Sequence, residues 1–183
     1  MTYSTEWLLA QLAQGTRIKY LLFWGHQPSQ DGTITKSCLS QWWLADFVVA
    51  GITYRSTEHW MMAEKARLFN DDKALGQILT AKSPAEAKKL GREIQSFEPE
   101  IWEAHKVAIV LASNRHNFGQ HPELAKFLLS KNDRILVEAS PVDNIWGIGL
   151  AADSADATDP ARWQGPNLLG FILMEVRDQL RNT

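Results

Sequence analysis

The sequence predicts an α+β fold: a single compact domain, predominantly helical, with a small β-sheet. Helical patterns outnumber strand patterns along the chain, and the two do not alternate as they would in a doubly wound parallel sheet. The chain contains no proline-, glycine- and serine-rich stretch that could serve as a linker, and 183 residues are about the length of one domain. We therefore expect one domain without internal repeats.

The first third of the chain predicts one helix and three strands. Ser4–Ala13 indicates a short helix that its first serine can cap, and the β-prone run Ile18–Phe23 indicates a buried strand. Gly25–Gly32 is predicted to be a loop. The β-branched and aromatic residues of Gln41–Tyr54 favour two strands joined near Ala50-Gly51.

The rest of the chain predicts mostly helix. A capping serine or threonine opens a run of helix formers at Ser56–Leu68, and Ser83-Pro84-Ala85-Glu86 is a capping box that starts another helix. Pro99–Asn117 predicts the longest helix, with Gly119 as its stop. Its expected recurring face is Ile101, Trp102, His105, Ile109 and Ala112. The remaining predicted elements are a short helix capped by Asp71 or Asp72, a helix at Pro122–Lys131, a strand at Arg134–Ala139 and a closing helix at Gly165–Leu180.

Composition and charge exclude several classes of protein. With 45% hydrophobic residues and a net charge of −2, the chain lacks the low hydrophobicity and high net charge of disordered proteins. With 19 basic and 21 acidic residues, the molecule as a whole has no net electrostatic attraction to DNA or to an anionic membrane. The same composition is compatible with a local basic patch. No signal peptide is visible, and the apolar runs are far shorter than the ~20 residues of a membrane span. We therefore expect a cytoplasmic protein without a membrane partner.

The sequence does not predict metal chemistry. The single cysteine, Cys38, excludes an intramolecular disulfide and a cysteine-based zinc site. His116 and His121 lie five residues apart, without a HExxH motif or a clustered Cys/His pattern. A Ser-His-Asp triad would lack the usual GxSxG elbow. We therefore expect neither a metal nor a cofactor.

Eight tryptophans are the unusual feature of the composition. Tryptophan more often fills a core, and it is also the best flat surface for stacking a base or a cation. Trp24 precedes a glycine in a loop after a predicted strand, which makes it a candidate for stacking. Arg92, which follows Gly91, is a candidate clamp for a phosphate.

Glu58 and Lys65 form the first candidate site. Residues seven apart on a helix lie about 20° short of two full turns, so these side chains share a face with Met61 or Met62 between them. The helix dipole would lower the pKa of Glu58 in the first turn, and an apolar cleft would raise it. The alternative is a solvated glutamate with an ordinary surface lysine.

Glu138–Gly149 forms the second candidate site, directly after a predicted strand. It combines a carboxylate at Asp143, an indole at Trp146 and two glycines, Gly147 and Gly149, where the backbone can approach a ligand closely. An ordinary loop with an Asx turn near Asp143 explains the same residues. The GxGxxA pattern that starts at Gly147 is not a dinucleotide fingerprint, because no βαβ unit surrounds it.

Together these motifs resemble the NADAR (YbiA-like) family. Phe23-Trp24-Gly25 and the run Gly51–Ala66 carry the first part of the resemblance, and the runs Ser140–Gly149 and Trp163–Gly170 carry the second. The similarity spans about Phe23–Arg177. We therefore expect residues 20–183 to form the family domain and residues 1–19 to form an N-terminal helical extension. The resemblance implies a small α+β fold and hydrolysis of an N-glycosidic bond.

The resemblance also implies roles for single residues. Glu58 and Asp143 would be the acidic catalytic pair, and Lys65 matches a helix lysine that could attack a ring-opened sugar as an amine. Carboxylate pairs in glycoside hydrolysis lie roughly 5–10 Å apart, so we expect both acids to face one cleft that Trp146 lines. The expected aromatic walls are Trp24, Trp102 and Trp146, and the groups expected at a ribose phosphate are Arg92, Gly147 and Gly149.

Two substrate classes follow from the resemblance. One comprises ribosylamino-pyrimidine phosphates, which are intermediates of riboflavin synthesis. The other is ADP-ribose linked to guanine, in a nucleotide or in a nucleic acid. A non-catalytic ADP-ribose-binding module is a third alternative, and such a module would not need two acids in one pocket.

Overall fold

A computed structural model describes residues 1–182 and confirms the α+β class, with seven α-helices and four short strands in that range. The strands form two separate two-stranded sheets where the sequence indicated one small sheet. The chain divides into two compact units. We call them the terminal unit, formed by Met1–Ser40 and the segment from Pro122 onward, and the central unit, Gln41–His121.

The terminal unit is built on a pair of parallel strands. Strand β1 (Tyr20–Phe23) pairs with β4 (Ile135–Glu138), and their residues are aligned in order from first to last. Helix α7 (Leu168–Arg181) packs against β4 and buries most of its own apolar side chains. Helix α6 (Pro122–Leu129) in turn contacts α7, so the core of this unit lies between α7 and the strands.

Side chains occupy the edges of this strand pair. Asn167 has a left-handed backbone (φ 54°), and its fully buried amide donates to the carbonyl of Leu136 at 2.9 Å and accepts from the Glu138 N–H at 3.0 Å. On the other strand, the Lys36 ammonium donates to the carbonyl of Leu22 at 2.9 Å. Asn167 thereby joins the start of α7 to β4 through hydrogen bonds that a neighbouring strand would otherwise make.

The N-terminal segment packs onto α7. Helix α1 (Thr5–Ala13) begins at the predicted cap, Ser4, and Leu8 is fully buried. The Tyr3 hydroxyl donates to the carboxylate of Asp178. Burial and this hydrogen bond raise the pKa of Tyr3 to about 12. The proposed domain boundary at residue 20 stays a prediction.

The central unit begins with a hairpin and continues in four helices. Strands β2 (Phe47–Val49) and β3 (Ile52–Tyr54) are antiparallel, and both turn residues between them have positive φ, as a type I′ turn requires. Helix α2 (Thr57–Leu68) lies against all three other helices and buries eight of its 12 residues. The other helices are α3 (Asp72–Thr80), α4 (Pro84–Arg92) and α5 (Pro99–Gln120).

The predicted end and face of the longest helix are wrong. Helix α5 continues through Gly119 and ends because Pro122 disfavours helical geometry at His121, whose backbone is extended. Its buried residues are Lys106, Val110, Ser113, Asn114, Asn117 and Phe118 rather than the predicted face. Polar residues can occupy that face because the side chains of Ser113 and Asn114 donate to the carbonyl of Val110.

No helix within residues 1–182 is both long and apolar enough to cross a bilayer. The expected cytoplasmic location stays a prediction.

Candidate active site

The first turn of α2 is tightly held by hydrogen bonds. Ser56 caps the helix, and its hydroxyl accepts from the His59 N–H at 3.3 Å. The backbone carbonyl of Gln41 accepts from the Glu58 N–H at 3.0 Å and from the Thr57 hydroxyl at 3.2 Å. The backbone that carries Glu58 is therefore fixed by its N-cap and by a neighbouring segment.

His59 adds a second clamp that the sequence analysis did not identify. Its Nδ1 lies 2.7 Å from the Ser56 hydroxyl, and its Nε2 lies 3.2 Å from the carbonyl of Ala81. Burial lowers the pKa of His59, which favours the neutral ring. A neutral ring with its proton on Nε2 donates a hydrogen bond to the Ala81 carbonyl and accepts one from the Ser56 hydroxyl at Nδ1. His59 therefore ties the cap of α2 to the end of α3.

Glu58 is buried, with only 2% of its surface exposed. The alternative of a solvated surface glutamate is therefore wrong. Met61 and Met62, expected between Glu58 and Lys65, are also buried. Glutamate side chains are seldom this deeply buried, because removing an ionised carboxylate from water costs hydration free energy.

Lys65 lies in a half-buried aromatic setting. Its Nζ donates to the carbonyl of Gly91 at 2.8 Å and lies 4.2 Å from the ring centre of Phe97 and 5.5 Å from that of Trp102. Burial, and then the positive charge of Arg92, lower the pKa of Lys65. The structure thus brings together three of the predicted site residues: Lys65, Arg92 and Trp102.

Gly91 explains how α4 comes this close to α2. A Cβ atom at position 91 would lie 2.0 Å from the sulfur of Met62, so only glycine leaves room for the sulfur as it stands. The close approach places the Gly91 carbonyl within reach of Lys65. Phe97, which the sequence analysis missed, reaches the same ammonium from the segment after α4, and no periodic pattern marks it.

Asp143 has a defined structural role in the loop after β4. Its Oδ1 accepts from the N–H groups of Ile145 at 2.9 Å and Trp146 at 2.8 Å, which confirms the Asx turn. A Cβ atom at Gly147 would lie 2.7 Å from the carbonyl oxygen of Glu138, and Gly149 has a positive φ of 69°. Both glycines are therefore required by packing and backbone geometry inside the loop itself.

The two tryptophans of the terminal unit that were predicted as site residues differ in exposure. Trp146 is 8% exposed and Trp24 is 55% exposed. Trp24 is therefore available for stacking, and the role of the buried Trp146 as a wall of the cleft stays a prediction. Because Glu58 and Asp143 belong to different units, the cleft predicted for them stays a prediction.

Within the described range, no group of three or more histidine, cysteine, aspartate or glutamate residues could hold a metal ion. Lys65, Phe97 and Trp102 form an aromatic lysine site in the central unit. A lysine with a lowered pKa is suited to act as a nucleophile, because a larger fraction of it is the neutral amine.

Comparisons with known proteins point to one family. The NADAR domain family matches residues 22–181. The chain is 40% identical over 166 residues to an N-glycosidase of Acanthamoeba polyphaga mimivirus, and the alignment covers 88% of this chain and 96% of that protein. It is 33% identical over 132 residues to N-glycosidase YbiA of Escherichia coli, which covers 72% of this chain and 74% of YbiA.

Two further similarities are informative. The chain is 33% identical over 138 residues to the riboflavin biosynthesis protein PYRR, chloroplastic, of Zea mays, and this covers 72% of the chain and 20% of that protein. The NMR structure of Escherichia coli YbiA has a TM-score of 0.72 to this chain at 27% identity. That match covers 90% of this chain and 86% of the YbiA chain, so the likeness extends through both units.

Proposed function

Because this chain belongs to the NADAR family and is an N-glycosidase, we propose that it hydrolyses the N-glycosidic bond of ribosylamino-pyrimidine phosphates. The observation that carries the proposal is the shared face of α2, with a buried acid at Glu58 and an amine of lowered pKa at Lys65. The similarity to a protein named for riboflavin biosynthesis supports this substrate class.

Glu58 is proposed to transfer the proton that bond cleavage requires. The departing base needs a proton on its nitrogen, and the sugar carbon becomes positively charged as the bond breaks. A carboxylic acid in a fixed helical turn can supply that proton, and the carboxylate that remains stabilises the adjacent charge. The hydrogen bonds around the first turn of α2 keep its backbone in place for this role.

Lys65 is proposed as an amine nucleophile toward the ring-opened sugar. In that form, carbon C1 is joined to the base nitrogen as an imine. The neutral Lys65 Nζ adds to C1, and both of its protons pass to the base nitrogen. The bond from C1 to the base then breaks, so that the base leaves as a free amine and Nζ stays joined to C1 as an imine. Water then hydrolyses the lysine imine and returns the amine. Arg92 is proposed to bind the phosphate, and Trp102 and Phe97 to contact the base.

A substrate panel tests the proposed function. Purified protein is incubated separately with the ribosylamino-pyrimidine phosphates and with ADP-ribosyl-guanosine, and released base and sugar are measured by mass spectrometry. We expect release from the pyrimidine compounds at a rate well above that of a Glu58→Gln control. Release from ADP-ribosyl-guanosine alone would assign the enzyme to the second substrate class.

Replacing Asp143 separates its structural role from a chemical one. Asparagine keeps the oxygen that accepts from Ile145 and Trp146 and removes the negative charge. If Asp143 is the second catalytic acid, Asp143→Asn should lower kcat by at least about tenfold while the free energy of unfolding changes by less than about 0.5 kcal/mol. Asp143→Ala, which also loses both hydrogen bonds, should cost about 1–2 kcal/mol of stability. Full activity of Asp143→Asn would leave Asp143 as a loop residue only.

A further inference from the structure

One concave feature of the terminal unit is strongly basic. It is a pocket of about 260 Å³ that none of the predicted site residues lines. Its lining residues are Arg17, Lys19, Lys131, Asn132, Asp133 and Arg134, which we call the basic pocket. Four cations and one carboxylate therefore face one cavity in a chain whose overall charge is −2.

The one carboxylate of the basic pocket is already paired. Oδ1 of Asp133 lies 3.0 Å from a guanidinium nitrogen of Arg181, so its charge is shared with a cation outside the lining. Arg177 is 2% exposed and donates to the backbone carbonyl of Arg134, a lining residue, at 2.8 Å. Its closest carboxylate, Asp178, is 4.0 Å from Nε and also lies 3.4 Å from Arg181. The surroundings therefore add positive charge to the pocket instead of neutralising it.

The basic pocket lies at the opposite end of the strand pair from the loop with Asp143. Lys19 directly precedes β1 and Arg134 directly precedes β4, and the carbonyl of Lys19 accepts from the N–H of Ile135 at 2.9 Å. Because the strands are parallel, both residues lie at the same end of the sheet, where the two strands begin. Four residues span roughly 13 Å along a strand, and this distance separates the beginning of β4 from the loop that follows it.

We propose that the basic pocket binds a compact oligophosphate, the diphosphate or triphosphate group of a small molecule, at a site separate from the hydrolytic residues. Guanidinium groups such as those of Arg17 and Arg134 form paired hydrogen bonds with phosphate oxygens, and the lysines add point charges. The Lys131 ammonium is 3.7 Å from the ring centre of Phe127, a contact that restricts its side chain before a ligand binds.

The size and distribution of charge favour a compact anion over a nucleic-acid strand. The cavity is slightly smaller than the roughly 300–1,000 Å³ of pockets that enclose drug-sized ligands, which suits a phosphate group better than a whole nucleotide. A nucleic-acid backbone requires cations spread along a path, so that successive phosphates are each contacted. Here the four cations surround one concavity.

Isothermal titration calorimetry with inorganic pyrophosphate and tripolyphosphate tests this proposal. The full chain should bind both, more tightly than orthophosphate, and the affinity should fall as salt is added. Arg17→Gln/Lys19→Gln should weaken binding by about tenfold or more, because two charged donors are lost. The matched control is Lys89→Gln/Lys126→Gln, two exposed lysines outside the pocket, which removes the same charge and should leave the affinity within about twofold.

Other outcomes of the same experiment overturn the proposal. Absence of pyrophosphate binding, or equal losses in the two double variants, would show that no oligophosphate site exists there. Tighter binding of a short single-stranded oligonucleotide without terminal phosphates would assign the pocket to a nucleic-acid strand. Substrate turnover is measured in parallel and should be unchanged in Arg17→Gln/Lys19→Gln, so loss of oligophosphate binding and failure of the proposed hydrolysis are distinguished.

Discussion

Replacing Glu58 with glutamine should lower kcat by about 10²-fold or more while the affinity for substrate stays near that of the wild type. Glutamine has nearly the same shape and leaves the backbone hydrogen bond to Gln41 in place, but its amide cannot transfer a proton at neutral pH. The measurement is steady-state release of base, with kcat and KM determined separately. Urea unfolding of the same protein checks that the helix is intact.

A second glutamate of α2 provides the control for this experiment. Glu64 forms an ion pair with Arg67 on the same helix and is only partly buried. Glu64→Gln should retain kcat within a few-fold of the wild type, since a partly exposed ion pair contributes little. If Glu58→Gln were equally active, Glu58 would have no part in the chemistry.

Borohydride added during turnover should trap a covalent sugar adduct on Lys65. The imine between Nζ and the sugar carbon is reduced to a stable amine, and peptide mapping by mass spectrometry locates it. Lys65→Arg keeps a positive charge near Gly91 and Phe97 but cannot form the imine, so kcat should fall by at least about 10²-fold.

The pH profile gives a second readout for Lys65. An ammonium cannot attack carbon, so activity rises with pH as the lysine loses its proton. Burial and the charge of Arg92 lower its pKa from the ordinary value of 10.5, so this rise should occur at a correspondingly lower pH. Neutralising Arg92 with Arg92→Gln removes one of the two causes and should move the rise to higher pH.

Lys88 provides the matched control for the trapping experiment. Its Nζ lies 5.7 Å from the ring centre of Trp42, so it is also a lysine beside an aromatic ring. Lys88→Arg should be trapped and active like the wild type. Absence of an adduct on Lys65, together with an active Lys65→Arg enzyme, would leave Lys65 with an electrostatic or packing role.

Local signals in the sequence predicted the starts of the helices well. Ser56, Asp71 and Ser83 all cap helices, because each side chain bonds to an N–H three residues later and needs no distant partner. The buried face of α5 could not be predicted in the same way. It carries Ser113 and Asn114, whose polar groups are satisfied within the helix, so hydrophobic periodicity does not identify it.

Residue spacing alone could relate residues of the site only where they share one element. Glu58 and Lys65 lie on one helix, so the helical period alone related them. Phe97 joins Lys65 through tertiary packing of the segment between α4 and α5, and His59 acts through the carbonyl of Ala81. Neither contact follows from the spacing of these residues along the sequence. The structural use of Asp143 was foreseen as an alternative, because short polar side chains often bond to the backbone two or three residues later.

The buried amide of Asn167 also affects how molecules of this protein meet one another. A sheet of two strands has two open edges, and an open edge is a template on which another chain can add a strand and start aggregation. Asn167 occupies hydrogen-bonding groups of β4 on one side, and Lys36 occupies the carbonyl of Leu22 on the other. The Asn167 contacts that fix the start of α7, together with the Lys36 contact on β1, therefore remove sites where a second molecule could add a strand. The two-stranded sheet can stay small for this reason.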